Sequence, residues 1–249
     1  MRCPRLLLID ATLAPGSRIE LPPEVLRHAV SVLRLRDGAA CRVFDGRGAE
    51  HHARLILAGR RDGAVELGAV AAAPTTPRLR LRLLQGIARG DHMDLAIQKA
   101  VELGVGEIWP LLGERSRSAA AHRGLDRKRQ HWQGVLRAAA EQCGRNELPR
   151  LDPPRDLTQA LADLPPTGLR VLADPEGEPP SVWRSQRADP GAGAITLLVG
   201  PEGGLTPEER AGARDAGFLG LRLGPRILRT ETAAITALTT LQLLYGDLA

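Results

Sequence analysis

Ile195-Thr-Leu-Leu-Val199 is an unbroken apolar pentapeptide that runs straight into Gly200-Pro-Glu-Gly-Gly204. Proline removes a ladder donor and glycine frees the backbone, so an extended segment has to stop there. Thr206-Pro-Glu-Glu209 follows, a capping box with proline at the first helical position, and predicts a helix that ends at Gly217. The pattern then repeats. Phe218 to Leu223 reads as a last strand, Gly224-Pro225 halts it, and Thr230 is placed to cap a final helix to Tyr245. Short buried strands joined through helices make a mainly parallel sheet covered on both faces. Such sheets bind ligands in the crevice at the carboxyl ends of their strands, which is where both Gly-Pro turns fall.

The same alternation extends upstream. Leu79, Leu81 and Leu83 alternate with arginine as in a half-buried first strand, and Asp91 is a plausible N-cap for a helix striped by Met93, Ala96, Ile97, Ala100 and Val101. Val105 to Leu112 reads as a second strand. A basic loop, Glu114-Arg-Ser-Arg-Ser118, leads to a helix from about Asp126 to Cys143 with Trp132, Val135, Leu136, Ala139, Ala140 and Cys143 on its apolar face. Leu169 to Ala173 is a third strand, ending in Asp174-Pro-Glu-Gly177; a short helix is predicted around Val182 to Gln186.

Residues 1–73 are of another kind. Apolar pieces at Ile19–Leu21, Ala40–Phe44, Ala53–Leu57 and Ala64–Leu67 are separated by Asp-Gly turns. One helix, Glu24 to Leu35, interrupts them, with Val25, Leu26, Ala29, Val32 and Leu33 on one face. A compact barrel with a basic rim is predicted, with Ala71-Ala-Ala-Pro-Thr-Thr-Pro77 as the linker to an α/β domain over residues 74–249.

Charge divides along the same line. The chain carries a formal +5, but residues 1–150 hold a net +9 and residues 151–249 a net −4. A polyanion facing the first part accounts for this, and so does an arginine-rich solvated surface; charge alone leaves the two even. Cys3, Cys41 and Cys143 are odd in number with no C-x-x-C pair, so no disulfide framework or zinc site is indicated. The six histidines show no metal-ligand spacing, and no metal is expected. No apolar stretch approaches a membrane span or a signal peptide, and a cytoplasmic protein is expected.

Neither G-x-G-x-x-G nor G-x-x-x-x-G-K-[ST] occurs, and no Ser/His/Asp set emerges from spacing. Two glycine-rich exits from neighbouring strands, the second carrying Arg226, Arg229, Thr230, Glu231 and Thr232, suit a pocket for a small adenosine-like ligand. Glu231 also has a role available as a favourable charge at a helix N-terminus, and Arg229 as its ion-pair partner. From Thr232 to Gly246 no side chain is charged, so the last helix is apolar on every side and is predicted to be covered on both faces, within the monomer or by a partner subunit.

Val199-Gly-Pro-Glu-Gly-Gly-Leu-Thr206, Leu223-Gly-Pro-Arg-Ile-Leu-Arg-Thr-Glu-Thr232, the Gly90–Gly104 segment, Glu141-Gln-Cys-Gly-Arg-Asn146 and Arg27-His-Ala-Val-Ser-Val-Leu-Arg-Leu-Arg36 together resemble the RsmE family of 16S rRNA uridine-N3 methyltransferases, in the SPOUT superfamily. The resemblance implies a PUA-like RNA-binding β-barrel over residues 1–73 and a knotted parallel-sheet methyltransferase domain over 74–249. It implies S-adenosylmethionine as cofactor, 16S rRNA or the 30S subunit as partner, and a homodimer through the C-terminal helix. The cofactor would be held by Leu172, Ala173, Val199, Gly200, Gly203, Gly204, Leu223, Gly224, Ile227, Leu228 and Thr232. Arg229 and Glu231 become the catalytic candidates, and Arg5, Arg27, Arg34, Arg36, Arg89, Arg115 and Arg117 the RNA contacts. The alternatives are methylation of another RNA, such as tRNA or 23S rRNA, and a non-catalytic RNA-binding assembly factor on the same scaffold, against which the presence of both Gly-Pro loops argues.

Overall fold

The computed structural model describes residues 3–9, 11–59, 62–71, 77–113, 124–186 and 193–248. Arg115, Arg117 and most of the expected linker lie outside them. Two compact units are present, Met1–Thr76 with Arg137–Leu148 and Pro77–Leu136 with Pro149–Ala249.

The first unit is a five-stranded sheet. Its strands are β1 (Arg5–Leu7), β2 (Arg18–Glu20), β3 (Ala40–Phe44), β4 (Glu50–Leu57) and β5 (Gly63–Val70), in spatial order β1-β3-β4-β5-β2. All pairs are antiparallel except β1 with β3. The core is the one the composition predicts, aliphatic throughout: Leu6, Val43, Leu55 and Val65 are sealed from solvent. The predicted helix is broken in two. Helix α1 covers Pro23–Arg27, and His28–Val32 is a π-helical turn in which Leu33 N–H donates to the carbonyl of His28. The wider turn rotates the side chains that follow, so Leu26 and Ala29 are buried but Val32, expected on the same face, is 65% exposed. Arg34 then takes a left-handed backbone (φ 55°) and ends the segment.

Arg5 fastens α3 (Leu125–Cys143) to this sheet through the helix's last turns, which belong to the first unit. Its guanidinium donates to the carbonyls of Ala140 (2.9 Å) and Glu141 (3.3 Å) in the last turn of the helix and of Arg145 (3.1 Å) just past it. It also pairs with buried Glu50 at 3.0 Å and lies over the Phe44 ring at 4.2 Å. Glu141 in turn accepts from the Leu7 backbone N–H, and burial pushes its carboxyl above the usual range against that bond and the charges of His28 and Arg5.

The second unit carries β6 (Leu81–Gly86), β7 (Val105–Leu112), β8 (Arg150–Leu151), β9 (Arg155–Asp156), β10 (Leu169–Glu178), β11 (Ile195–Val199) and β12 (Leu219–Leu221). They form one sheet in the order β12-β10-β11-β6-β7-β8, with β9 also on β7, and every pairing is parallel. Helices α2 (Asp91–Glu102), α4 (Leu157–Ala162), α5 (Pro180–Gln186), α6 (Pro207–Asp215) and α7 (Thr230–Tyr245) join them. The α2 stripe is buried as predicted, but its N-cap is Gly90 and Asp91 is the first helical residue.

Two strand expectations change. β6 is buried along its whole length, because β11 and β7 flank it and helices cover it, so its arginine has to be neutralised inside. Arg82 donates to Glu107 at 2.8 Å and lies 4.8 Å from the Trp109 ring centre. Burial alone would raise the Glu107 carboxyl, but the bond and charge of Arg82, with Arg150 beside it, hold it below the usual range. β10, predicted to stop at Ala173, continues to Glu178 through a bulge against β12. Among the described residues no helix is long and apolar enough to cross a membrane.

The Arg5 arrangement makes a prediction. Replacing Arg5 by alanine strands Glu50 and the helix carbonyls, and denaturant unfolding is expected to show a loss of about 3 kcal/mol, as for other buried pairs broken on one side.

Candidate functional site

The carboxyl ends of β10, β11 and β12 open on one cavity of about 740 Å³. Leu172 to Pro175 lie within β10, Val199 to Leu205 run from the end of β11, and Leu221, with Leu223, Gly224 and Arg226 to Glu231, comes from the end of β12 and the loop after it; His92 on α2 and Ala233 on α7 complete the wall. The two Gly-Pro exits are therefore not on adjacent strands. β10 lies between β11 and β12 and supplies a third wall of its own.

Local chemistry fixes these loops. Thr206 and Glu209 form the predicted capping box, the Thr206 hydroxyl accepting from the Glu209 N–H at 3.1 Å and the Glu209 carboxylate from the Thr206 N–H at 2.9 Å. At the end of β6, a Cβ on Gly86 would stand 2.2 Å from the backbone nitrogen of Pro201, so only glycine lets the β11 exit pass so close. Gly224 has φ 110° with open space beside it, a conformation other residues adopt only under strain. Thr230 does not cap α7 as predicted; the N-cap is Arg229. Its hydroxyl instead accepts from Gln85 Nε2 at 2.8 Å and donates to the Gly200 carbonyl at 2.6 Å, tying together β6, the first Gly-Pro loop and the start of the last helix.

The charged groups are largely matched. Buried Asp174 accepts from Arg210 and Arg214, each at 3.3 Å, and Glu202 accepts the Arg89 backbone N–H at 2.9 Å. Glu231 is buried, and its partner is not Arg229: His92 Nδ1 stands 3.0 Å from its Oε1. The side chain of Arg229 is exposed and has no ion-pair partner among the described residues. No thiol takes part. Cys41 is buried in the first unit, where burial pushes it up to about 11. Among the described residues no group of His, Cys, Asp and Glu could hold a metal ion.

The cavity gathers the sequence candidates Leu172, Ala173, Val199, Gly200, Gly203, Gly204, Leu223, Gly224, Ile227 and Leu228, together with Arg229 and Glu231. Thr232 is exposed and is not part of the wall; the helical turn puts Thr230 there instead. Sequence reasoning missed His92, Asp174 and Arg210 as wall residues. His92 is marked in the sequence only as a departure from the arginine that the resemblance leads one to expect there, and the Asp174-Pro-Glu-Gly177 echo of Gly200-Pro-Glu-Gly203 is a signal for the first strand end. Of the arginines read as RNA contacts, Arg27, Arg34, Arg36 and Arg89 are exposed. Arg5 is corrected: its guanidinium is only 10% exposed and every nitrogen is engaged within the protein.

Comparison with known proteins agrees with this layout. Residues 75–242 match the model of an RNA methyltransferase domain, and residues 21–67 that of an RNA methyltransferase PUA domain. Ribosomal RNA small subunit methyltransferase E of Rickettsia conorii is 31% identical over 241 residues, covering 96% of this chain and 95% of that protein. Its counterpart from Buchnera aphidicola of Schizaphis graminum is 33% identical over 171 residues, 69% of this chain and 68% of that one. Among solved structures, ribosomal RNA small subunit methyltransferase E of Neisseria gonorrhoeae, bound to S-adenosyl methionine, superposes with a TM-score of 0.90 at 34% identity over the full length of both chains.

The Thr230 bridge is testable. Thr230→Val keeps the volume but leaves the Gln85 amide and the Gly200 carbonyl without their partner, and thermal unfolding is expected to report a loss of about 2 kcal/mol.

Proposed function

The chain belongs to the ribosomal RNA small subunit methyltransferase E family, and we propose from that premise that it methylates N3 of a uridine in 16S rRNA, with S-adenosylmethionine as methyl donor. The observation that carries this reading is the cavity shared by three parallel strands, with its glycine-rich rims and an unpaired arginine at its edge.

The donor fits the residues present. A volume of about 740 Å³ is in the range of ligand pockets, and Leu172, Val199, Leu223 and Leu228 offer apolar walls beside the backbone groups of Gly200 to Gly204. Gly224 shapes the second rim through its φ of 110°, which other residues adopt only under strain. The bound donor supplies an electrophilic methyl carbon on a sulfonium, and the N3–C bond forms as the sulfur–carbon bond breaks to leave a neutral thioether. An anionic base meeting a cationic donor loses charge on the way to product, so the protein's part is orientation and exclusion of water. Arg229 sits where the last Gly-Pro loop becomes α7, and its free guanidinium serves as donor to O2 or O4 of the uridinate.

RNA is held by the basic, PUA-like first unit, where Arg27, Arg34 and Arg36 are exposed, and by Arg89 of the second. Contacts of this kind are to phosphate and depend on salt. The protein works in the cytoplasm as a homodimer through α7; in support, α7 packs on α2, and Leu243 and Leu95 remain 55% and 38% exposed on these two helices.

Transfer of labelled methyl to 30S particles and to naked 16S rRNA, followed by primer extension to locate the block that N3 methylation causes, tests the reaction. Arg229→Ala is expected to lower the transfer rate by about 100-fold with donor affinity unchanged. A wild-type rate in that variant would remove Arg229 from the mechanism. For the dimer, Leu243→Glu is expected to shift the sedimentation coefficient from that of two chains to that of one.

A further inference from the structure

Uridine N3 carries a proton that must leave before the nitrogen can attack, and a proton acceptor has to lie at the cavity. His92 is placed for it. It is the second residue of α2, its side chain lines the cavity, and it is 42% exposed, whereas its neighbour Glu231 is 7% exposed. Nδ1 stands 3.0 Å from the Glu231 carboxylate, at ion-pair distance, and Nε2 has no partner among the described residues. We propose that His92 is the general base that removes the uridine N3 proton and that Glu231 is the positioning residue that holds its ring; this rests on the uridine-N3 reading above.

The proton balance is simple. With its proton on Nδ1, toward Glu231, the neutral ring presents the Nε2 lone pair to the cavity. The N3–H bond breaks, its electron pair stays on N3 as the nucleophile, and the proton forms a new Nε2–H bond. Glu231 remains ionised opposite the imidazolium, and water takes the proton once the product leaves. A carboxylate this close to Nδ1 favours that orientation and stabilises the charge that forms.

The other charged groups around His92 are assigned elsewhere. Asp174 is engaged by Arg210 and Arg214, and Glu202 by Arg89, which precedes α2. Asp91, beside His92 on the first turn of α2, is exposed and does not line the cavity. Arg226 and Arg229 are cations and cannot accept a proton at neutral pH. Glu231 is itself an acceptor, but His92 stands against it. His92 thus offers a free lone pair and Arg229 free donors, so the two halves of uridine activation fall to different residues.

The test is the pH profile of transfer, from about pH 6 to about pH 10, for the wild type, His92→Gln and His92→Ala, with donor binding followed by calorimetry. The wild type is expected to gain kcat/KM with rising pH as one group loses a proton, and then to level off. His92→Gln is expected to lose about 100-fold at neutral pH and to recover toward wild type at alkaline pH, where uridine ionises by itself. Donor affinity should be unchanged in both variants, and added imidazole should restore His92→Ala. A loss in His92→Gln that is uniform with pH, an unchanged profile, or a loss of donor affinity that accounts for the rate would each overturn the proposal while leaving the methyltransferase reading intact. Failure of the wild type to transfer methyl to either RNA substrate would overturn that reading, and this one with it.

Discussion

One hydroxyl group holds the cavity together. Thr230 accepts a hydrogen bond from the Gln85 amide near the end of β6 and donates one to the Gly200 carbonyl just past β11, from the first turn of the helix that closes the fold. The first bond is buried and the second partly so, and an unsatisfied partner there is costly, so the positions of the strand end, the loop and the helix are mutually dependent. Gly86 makes the same junction possible in a steric sense, since the β11 exit crosses where its side chain would be. The groups assigned to chemistry flank this joint: Arg229 precedes Thr230, Glu231 follows it, and His92 meets Glu231 from α2. Their geometry is inherited from backbone that cannot easily move.

Arginine is used in two opposite ways, and burial decides which. Arg5 and Arg82 lie inside, each fully matched by a carboxylate and an aromatic face, and act as structural ties. Arg27, Arg34 and Arg36 are exposed and are left to the solvent or to a polyanion. In a chain with only two lysines and 2% aromatics, the guanidinium does work that elsewhere falls to several residue types.

Much of this was legible in the sequence where the signal was local. The spans of β3, β7 and β11 and the capping box of α6 follow from apolar runs and turn chemistry, and the shown family from five motifs in order. What was not legible depended on partners distant along the chain. β6 alternates like a surface strand, yet is covered on both faces because Glu107 and Trp109 neutralise its arginine. Arg5 looks like an RNA contact until the end of α3 arrives beside it, and Thr230 looks like a cap until Gln85 claims it. The resemblance named Leu172 and Ala173 on β10, but that β10 lies between the two Gly-Pro exits is a matter of strand order, which is not a local property.

That strand order also governs how the domain can form. β11 is paired with β6 on one side and β10 on the other, so before it enters, the β6-β7 and β10-β12 halves share no ladder. β6 and β11 are more than a hundred residues apart, and closing such contacts is slow because the chain entropy is lost before the pairing energy is gained. Insertion of β11 also delivers Gly200 to its partners and so assembles the cavity in the same event. Ligand binding would then report the last step of folding, and a chain stalled short of it would present two half-sheets with open edges to its neighbours.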